Sequence, residues 1–257
     1  MRANTLKRRL LTREPCRGIW LSLPSVPAAR LLSRLPADWL LVDAEHGPMG
    51  AETMSDIVAA VADAGGAPVV RVAHGDIENI KRALDAGAWG ILAPMVNTPA
   101  DAEAVVAAAK FPPEGHRSFG SAWAGLTLGL SPAEYRRRAN SETLVLVQIE
   151  SEAALDELDG ILRVPGVDGV FVGPVDLAIS LGLEPDPENA HPVMREALDL
   201  VLRGAEKYRL PAGIYCSGAK AADDRIRQGF LLVNVASDVG TLLNGVRAQL
   251  EWRPSAT

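Results

Sequence analysis

"TLVLVQIE" (143–150) is the stretch on which the fold reading turns. Successive side chains of an extended chain point to opposite faces, so Leu144, Leu146, Gln148 and Glu150 share one side. Val145, Val147 and Ile149 take the other and face the helices or the reverse. The run is apolar until its last residues, where an amide and a carboxylate follow on the same face, and a carboxylate at the rim of an apolar strand needs a partner.

Seven further runs have the same strand character: "RGIWLSL" (17–23), "DWLLVDA" (38–44), "APVVRV" (67–72), "AWGILAPM" (88–95), "DGVFVGP" (168–174), "PAGIYC" (211–216) and "GFLLVNVAS" (229–237). Between them lie segments such as "GAETMSDIVAAVADAGG" and "ADAEAVVAAAKF", whose apolar residues repeat at helical spacing and end at Gly or Pro. Eight strand–helix units predict an α/β fold, a (β/α)8 barrel, in a single domain over residues 1–257. The connection 112–142 is too long for a simple loop and predicts an inserted active-site loop or a subunit contact, with a helix starting at Ser131-Pro132.

With 257 residues, 48% of them apolar, the chain can bury a large core. A net charge of −6 without a basic stripe argues against a nucleic-acid surface. No apolar run approaches the roughly 20 residues that span a bilayer. The basic start "MRANTLKRRLLTREPCRG" is broken by charges before a signal-peptide core could form, and reads as a first amphipathic helix. Cys16 precedes the first strand and Cys216 follows the seventh, so a barrel puts them at opposite ends, roughly 17–20 Å apart. These features predict two reduced, structural cysteines, a cytoplasmic protein and a small-molecule partner.

In a barrel, chemistry gathers at the carboxyl ends of the strands. Those ends carry Asp43, Glu45 and His46 in "LLVDAEHGPMG" (40–50), Arg71, the pair Gln148 and Glu150, and Asp176 one βα repeat later in "GVFVGPVD". Neighbouring strands lie about 4.8 Å apart, so Glu150 and Asp176 can converge on one hard, oxygen-loving cation, Mg²⁺ or Mn²⁺ first. The same two carboxylates could equally cap the helices that follow them. An arginine in a β-branched strand calls for an anion: a substrate carboxylate or oxo group in its planar fork, or an ion pair with Glu45 or Glu150. His46 is either a proton acceptor, oriented by Asp43 or by Asp85 of "LDAGA", or a rim histidine bonded to backbone. His74, His116 and His191 sit in polar, turn-rich settings and read as bystanders. Lys81, Lys110, Lys207 and Lys220 fall outside the strands, which leaves no strand-end lysine for Schiff-base chemistry.

"LLVDAEHGPMG", "PVVRV", "IKRALDAGAWGILAPMVNTPADAEAVV", "FPPEGHRSFG", "LVLVQIES" and "VDGVFVGPVDLAISLG", in this order over most of the chain, resemble the HpcH/HpaI aldolases, a family of metal-dependent class II pyruvate aldolases. The resemblance implies a pyruvate-superfamily barrel that binds a divalent ion (Mg²⁺, Mn²⁺ or Co²⁺) through Glu150 and Asp176. It implies that Gln148 and the Gly173-Pro174-Val175-Asp176 stretch contact pyruvate, that Arg71 stabilises its enolate, and that His46 is the general base, helped by Asp85 and Asp43. The implied reaction makes or cleaves 4-hydroxy-2-oxo acids from pyruvate and an aldehyde, in a homohexamer that exchanges its C-terminal helices. Val175 stands where relatives commonly carry Ala or Ser, and "SAWAGLTLGL" is more apolar than the family pattern, so both bear on the substrate. The competing readings are a citrate-lyase-β-like CoA-thioester lyase, which needs a basic surface that the strand ends lack, and a non-catalytic metabolite-binding barrel.

Overall fold

The strands are β1 (Cys16–Leu21), β2 (Trp39–Asp43), β3 (Pro68–Arg71), β4 (Gly90–Ala93), β5 (Leu144–Ile149), β6 (Gly169–Val172), β7 (Ala212–Ile214) and β8 (Leu232–Ser237). In the computed structural model, which describes residues 4–120 and 122–251, they pair in parallel and in chain order into a closed barrel, β8 returning to β1. Seven fall within the expected runs, and β1 starts one residue ahead of its run, at Cys16, which pairs with Leu232 of β8. Residues 1–3 of the basic start, Ser121 of the apolar loop and Trp252 of the terminal helix lie outside the described residues.

Strand alternation divides the core in two. Leu144 and Leu146 belong to an inner cluster with Trp20, Trp39, Leu41, Leu92 and Phe171, inside the ring of strands. Val145, Val147 and Ile149 belong to an outer cluster with the apolar stripes of the surrounding helices, such as Ile57, Val58 and Val61. The inner space is filled, as in barrels generally. At Gly18 even a methyl group would come within 2.2 Å of the Trp39 ring, so that position leaves room for the indole and nothing more.

The amino-terminal end of the barrel is sealed by the first helix, Thr5–Leu11, which buries Leu6 and Leu10 in the inner cluster. Asn4 caps this helix and donates to the carbonyls of Trp89 and Glu142. Beneath the strands, Lys7 pairs with Asp168 at 2.8 Å, and buried Lys110 donates to the carbonyls of Asn140 and Thr143. Burial drives the Lys110 ammonium down to about 8, against the pull of Asp168.

The helix in the long connection starts at Pro132, capped by Ser131 as expected. Its preceding segment packs Ala124, Leu128 and Leu130 into the inner cluster, with Trp89 and Leu144, which stand at the amino-terminal end of the ring. Within one chain it is therefore not an active-site loop, because its apolar sequence spends itself on this lower packing. Cys16 and Cys216 are free and buried, and burial raises their thiols to about 11 and about 12.

Candidate active site

A cleft of about 820 Å³ opens at the carboxyl ends of the strands, and Asp43, His46, Arg71, Gln148, Gly173 and Asp176 are among the residues that line it. Its first corner follows from register. Asp43 ends β2 opposite Arg71, the end of β3, so their side chains meet inside the barrel. Arg71 Nε donates to Asp43 Oδ1 at 3.0 Å and Nη2 to Oδ2 at 2.6 Å, a two-pronged pair. Nη1 lies 2.9 Å from Glu45 Oε2, an ion pair outside hydrogen-bonding geometry, and the guanidinium stacks over Trp20, 4.9 Å from the ring centroid. Burial works to raise the Asp43 pKa, but the bonds and charge of Arg71 hold it below the ordinary carboxylate value. Glu45 moves the other way: desolvation raises it more than Arg71 lowers it.

Asp43 does not hold the imidazole. Its Oδ1 accepts the backbone N–H groups of Glu45 and His46, both at 3.2 Å, so it fixes the turn on which His46 stands. The His46 side chain reaches out, 66% exposed, and the carboxylate near it is Glu45, 3.9 Å from Nε2. Sequence reasoning left Glu45 without a role. The structure makes it the link between Arg71 and His46.

The second corner stands at β5 and β6. Gln148 points into the barrel beside Phe171, its register partner, and Glu150 follows just beyond the strand, 4% exposed. Glu150 Oε1 accepts the Met95 backbone N–H at 2.7 Å, and Oε2 accepts from Gln148 Nε2. Gly173 leaves the space these groups occupy, since a Cβ there would come within 2.4 Å of Glu150 Oε2. Asp176 lies in the first turn of the helix Pro174–Ser180. Burial raises the Glu150 pKa, and the charges of Glu45 and Asp176 act in the same direction.

The donor set fits a hard divalent cation. Its groups are carboxylates and an amide, and Gln148 Oε1 is buried with no hydrogen-bond partner. Among the described residues no cluster of three or more His, Cys, Asp or Glu forms a closed metal cage. Two carboxylates would leave most of the coordination shell to water and substrate, as hard cations such as Mg²⁺ usually allow.

The third side is apolar, and sequence reasoning missed it. Trp20 ends near β7, edge-on to Tyr215 at 5.3 Å and tilted against Phe171 at 5.9 Å, and its Nε1 donates to Asp43. Leu23, Val175 and Val239 extend this wall. Buried Asp238 ties it together: its carboxylate accepts the backbone N–H groups of Ser22 at 3.0 Å and Leu23 at 2.9 Å, joining the end of β8 to the loop after β1. An aspartate directly after the last strand was the available signal.

Asp85 is not brought to His46 within the chain. It pairs with buried Arg117 at 2.8 Å and lines a separate cavity of about 1100 Å³ outside the barrel, between helices Ala51–Asp63 and Ile77–Asp85 and the residues His116, Phe119 and Trp123. "LDAGA" ends a helix on the amino-terminal side of β4, so its aspartate starts from the wrong end of the strand. That cavity is the larger of the two, yet strand ends contribute nothing to it, and the mouth cleft holds the converging polar groups. His116 lines the outer cavity, His74 is exposed beside Asp76, and His191 caps the helix Pro192–Tyr208.

The sequence profile of the HpcH/HpaI aldolase/citrate lyase family matches residues 17–245. The chain belongs to this family. A hydroxypyruvate/pyruvate aldolase of Pseudomonas aeruginosa is 36% identical over 95% of this chain and 90% of its own. A 4-hydroxy-2-oxo-heptane-1,7-dioate aldolase of Escherichia coli is 36% identical over 95% of this chain and 93% of its own. Among solved structures, an HpcH/HpaI aldolase/citrate lyase family protein from Burkholderia cenocepacia superimposes with a TM-score of 0.89 at 37% identity, covering 96% of this chain and 98% of that one. The matched region takes in every strand residue but Cys16, the first of β1, and none of the described helices is long and apolar enough to cross a membrane.

Proposed function

We propose that this HpcH/HpaI family member is a carbon–carbon lyase, a divalent-metal-dependent pyruvate aldolase that makes or cleaves 4-hydroxy-2-oxo acids. The observation that carries the reading is the all-oxygen corner of Glu150, Asp176 and Gln148 Oε1, electrostatically joined through Glu45 to the guanidinium of Arg71. Glu150 and Asp176 would hold the ion. When bound, a divalent cation supplies Lewis acidity toward the carboxylate and 2-oxo oxygens of pyruvate.

The chain's own residues do the rest. Arg71 is held by two carboxylates but keeps one N–H on each terminal nitrogen, and these fixed donors stabilise the oxygen that becomes negative as the enolate forms. Trp20 and Asp43 prevent the guanidinium from turning away. Gln148 and the Gly173-Pro174-Val175-Asp176 stretch position pyruvate. In cleavage, His46 Nε2 accepts the proton of the 4-hydroxyl while the C3–C4 bond breaks, which releases the aldehyde and leaves the enolate to be protonated at C3. Glu45 steadies the imidazolium that results. Addition is the same path reversed.

A CoA-thioester lyase would need cationic side chains for the CoA phosphates, and the one guanidinium lining the cleft is already committed to Asp43 and Glu45. The full chain acts as one domain and, by family likeness, as a homohexamer in the cytoplasm. Leu242, Leu243, Val246 and Leu250 stand exposed on the terminal helix Asp238–Glu251 and suit exchange with a neighbour, which sedimentation of the full chain tests.

The direct test is exchange of the pyruvate methyl protons with D₂O. Purified protein should catalyse it with Mg²⁺, Mn²⁺ or Co²⁺ and stop on chelation. Absence of exchange with every metal would refute the aldolase reading.

A further inference from the structure

We infer that Met95 and Asn97 are positioning residues: the loop after β4, strained at Met95, clasps the end of β5 and fixes the Glu150 carboxylate in one orientation for the cation. The inference rests on the metal-dependent reading of the site and concerns what makes the ion bind tightly. Neither residue lines the cleft.

Among the described residues, three other than glycine have a left-handed backbone: Arg13, Met95 and Arg209, with φ of 60°, 53° and 56°. Two of them end helices. Arg209 caps the helix Pro192–Tyr208, and Arg13 follows Thr5–Leu11 with its N–H on the Leu10 carbonyl, where this conformation serves the orphan carbonyls of a helix end. Met95 has no helix to close, since it stands two residues past β4 and three before Thr98, the N-cap of the helix Pro99–Ala109. Its side chain does not account for the strain either, being 53% exposed between buried Pro94 and Val96. A strained backbone beside a functional group points to a contact that the strain secures.

That contact is the Met95 N–H on Glu150 Oε1, at 2.7 Å, and with this peptide pinned the turn at Met95 decides where the chain goes next. It goes back toward the end of β5. Asn97 Oδ1 accepts from Ser151 Oγ, the hydroxyl next in sequence to Glu150, and the same hydroxyl caps the helix Glu152–Asp156 by accepting the Ala154 N–H at 3.0 Å. The far side of the loop is fixed as well, because Asp101 Oδ2 accepts the N–H groups of Asn97 at 3.1 Å and Thr98 at 2.9 Å. Glu150 is thus gripped at Oε1 by a loop bonded at both ends, while Gln148 Nε2 holds Oε2. Both oxygens keep lone pairs for a cation. A ligand already oriented loses little freedom when the ion arrives, and removal of such supporting contacts typically costs about 10–100-fold in metal affinity.

Full-length protein freed of metal by chelation is titrated calorimetrically with Mn²⁺, and its thermal unfolding is recorded beside. Met95→Val keeps an apolar side chain but resists the left-handed turn, whereas Met95→Gly deletes the side chain and adopts the turn freely. Met95→Val should bind Mn²⁺ about tenfold or more weakly, and Met95→Gly within about threefold of the unaltered protein. Equal affinities, or the reverse order, overturn the inference, since the side chain and not the turn would then matter. Asn97→Ala serves where Met95→Val does not fold: it should weaken Mn²⁺ binding about tenfold with little change in unfolding temperature, and unchanged affinity refutes the clasp. Arg209→Val places the same strain at a helix end and should lower the unfolding temperature while leaving Mn²⁺ affinity alone; a loss of affinity equal to that of Met95→Val would show that strain acts through general stability only and would refute positioning. If the unaltered protein binds no Mn²⁺ and exchanges no pyruvate methyl protons, the metal-dependent reading itself fails, whereas binding and exchange that are alike in every variant refute the inference alone.

Discussion

Replacing Arg71 by lysine keeps the charge and removes the fork. In the native chain the guanidinium makes two hydrogen bonds to Asp43, at 3.0 and 2.6 Å, a third close contact to Glu45 at 2.9 Å, and a face-on contact with Trp20. One ammonium nitrogen cannot span both carboxylates from the same position, so one or two charge-assisted contacts are lost, each worth about 1.5–3 kcal/mol. The remaining charge still neutralises Asp43, which holds the expected destabilisation to about 2–4 kcal/mol, or about 5–15 °C for a chain of this size. Arg71→Ala should cost more, about 3–5 kcal/mol, because Asp43, 2% exposed, would keep its charge without a cation. Turnover in Arg71→Lys should fall about 10²–10³-fold, the usual worth of a fixed donor to a developing oxyanion. Metal affinity should hardly change, since Glu150 and Asp176 are untouched. The assays are thermal unfolding, retro-aldol kinetics, and chelator competition for the bound metal. Turnover within about threefold of the unaltered enzyme would refute the reasoning and leave Arg71 as a structural ion-pair residue.

Three further outcomes are expected. His46→Ala should lower turnover about 10²–10⁴-fold with metal binding retained, and its pH–rate profile should lose a limb that the unaltered enzyme shows; an unchanged profile removes His46 from proton transfer. Glu150→Gln and Asp176→Asn should each weaken metal binding measured calorimetrically, and if either variant binds the ion as tightly as before, the ligand assignment is wrong. Lys110 offers a stability test: it is held at about 8 by burial against an ordinary 10.5, so between those values the unfolded chain binds more protons and this group makes stability rise with pH, by at most about 1.4 kcal/mol per unit. Lys110→Met should remove that slope from denaturant midpoints compared at pH 8 and pH 9, and parallel slopes for the two proteins would contradict it.

Much of this site was legible because strand ends are positions with a direction. Alternation in 143–150 put Gln148 in the cleft lining and Val147 on the outer face, and set Glu150 where it accepts from Gln148. Arg71 read correctly as an arginine in need of an anion, but its chief partner is Asp43, a choice that β2–β3 register makes and sequence spacing does not. The place of Asp85 within the chain has a similar origin: "LDAGA" precedes a strand, and only the fold shows that its helix end lies beside Arg117. Trp20, Tyr215 and Asp238 went unnoticed since aromatic and helix-starting acidic residues have ordinary uses everywhere. Their importance lies in facing one another across the closure of β8 on β1.

The partition of the core by strand parity has a consequence for how this enzyme can diversify. Val147 and Gln148 are adjacent in the chain, yet one belongs to the packing under the helices and the other to the floor of the cleft. A change of volume at Val145, Val147 or Ile149 is felt first in the packing under the helices, whereas the same change at Trp20 or Phe171 alters the cleft lining directly. Stability and specificity are thus written on alternate letters of the same strands, and each can drift with little reference to the other.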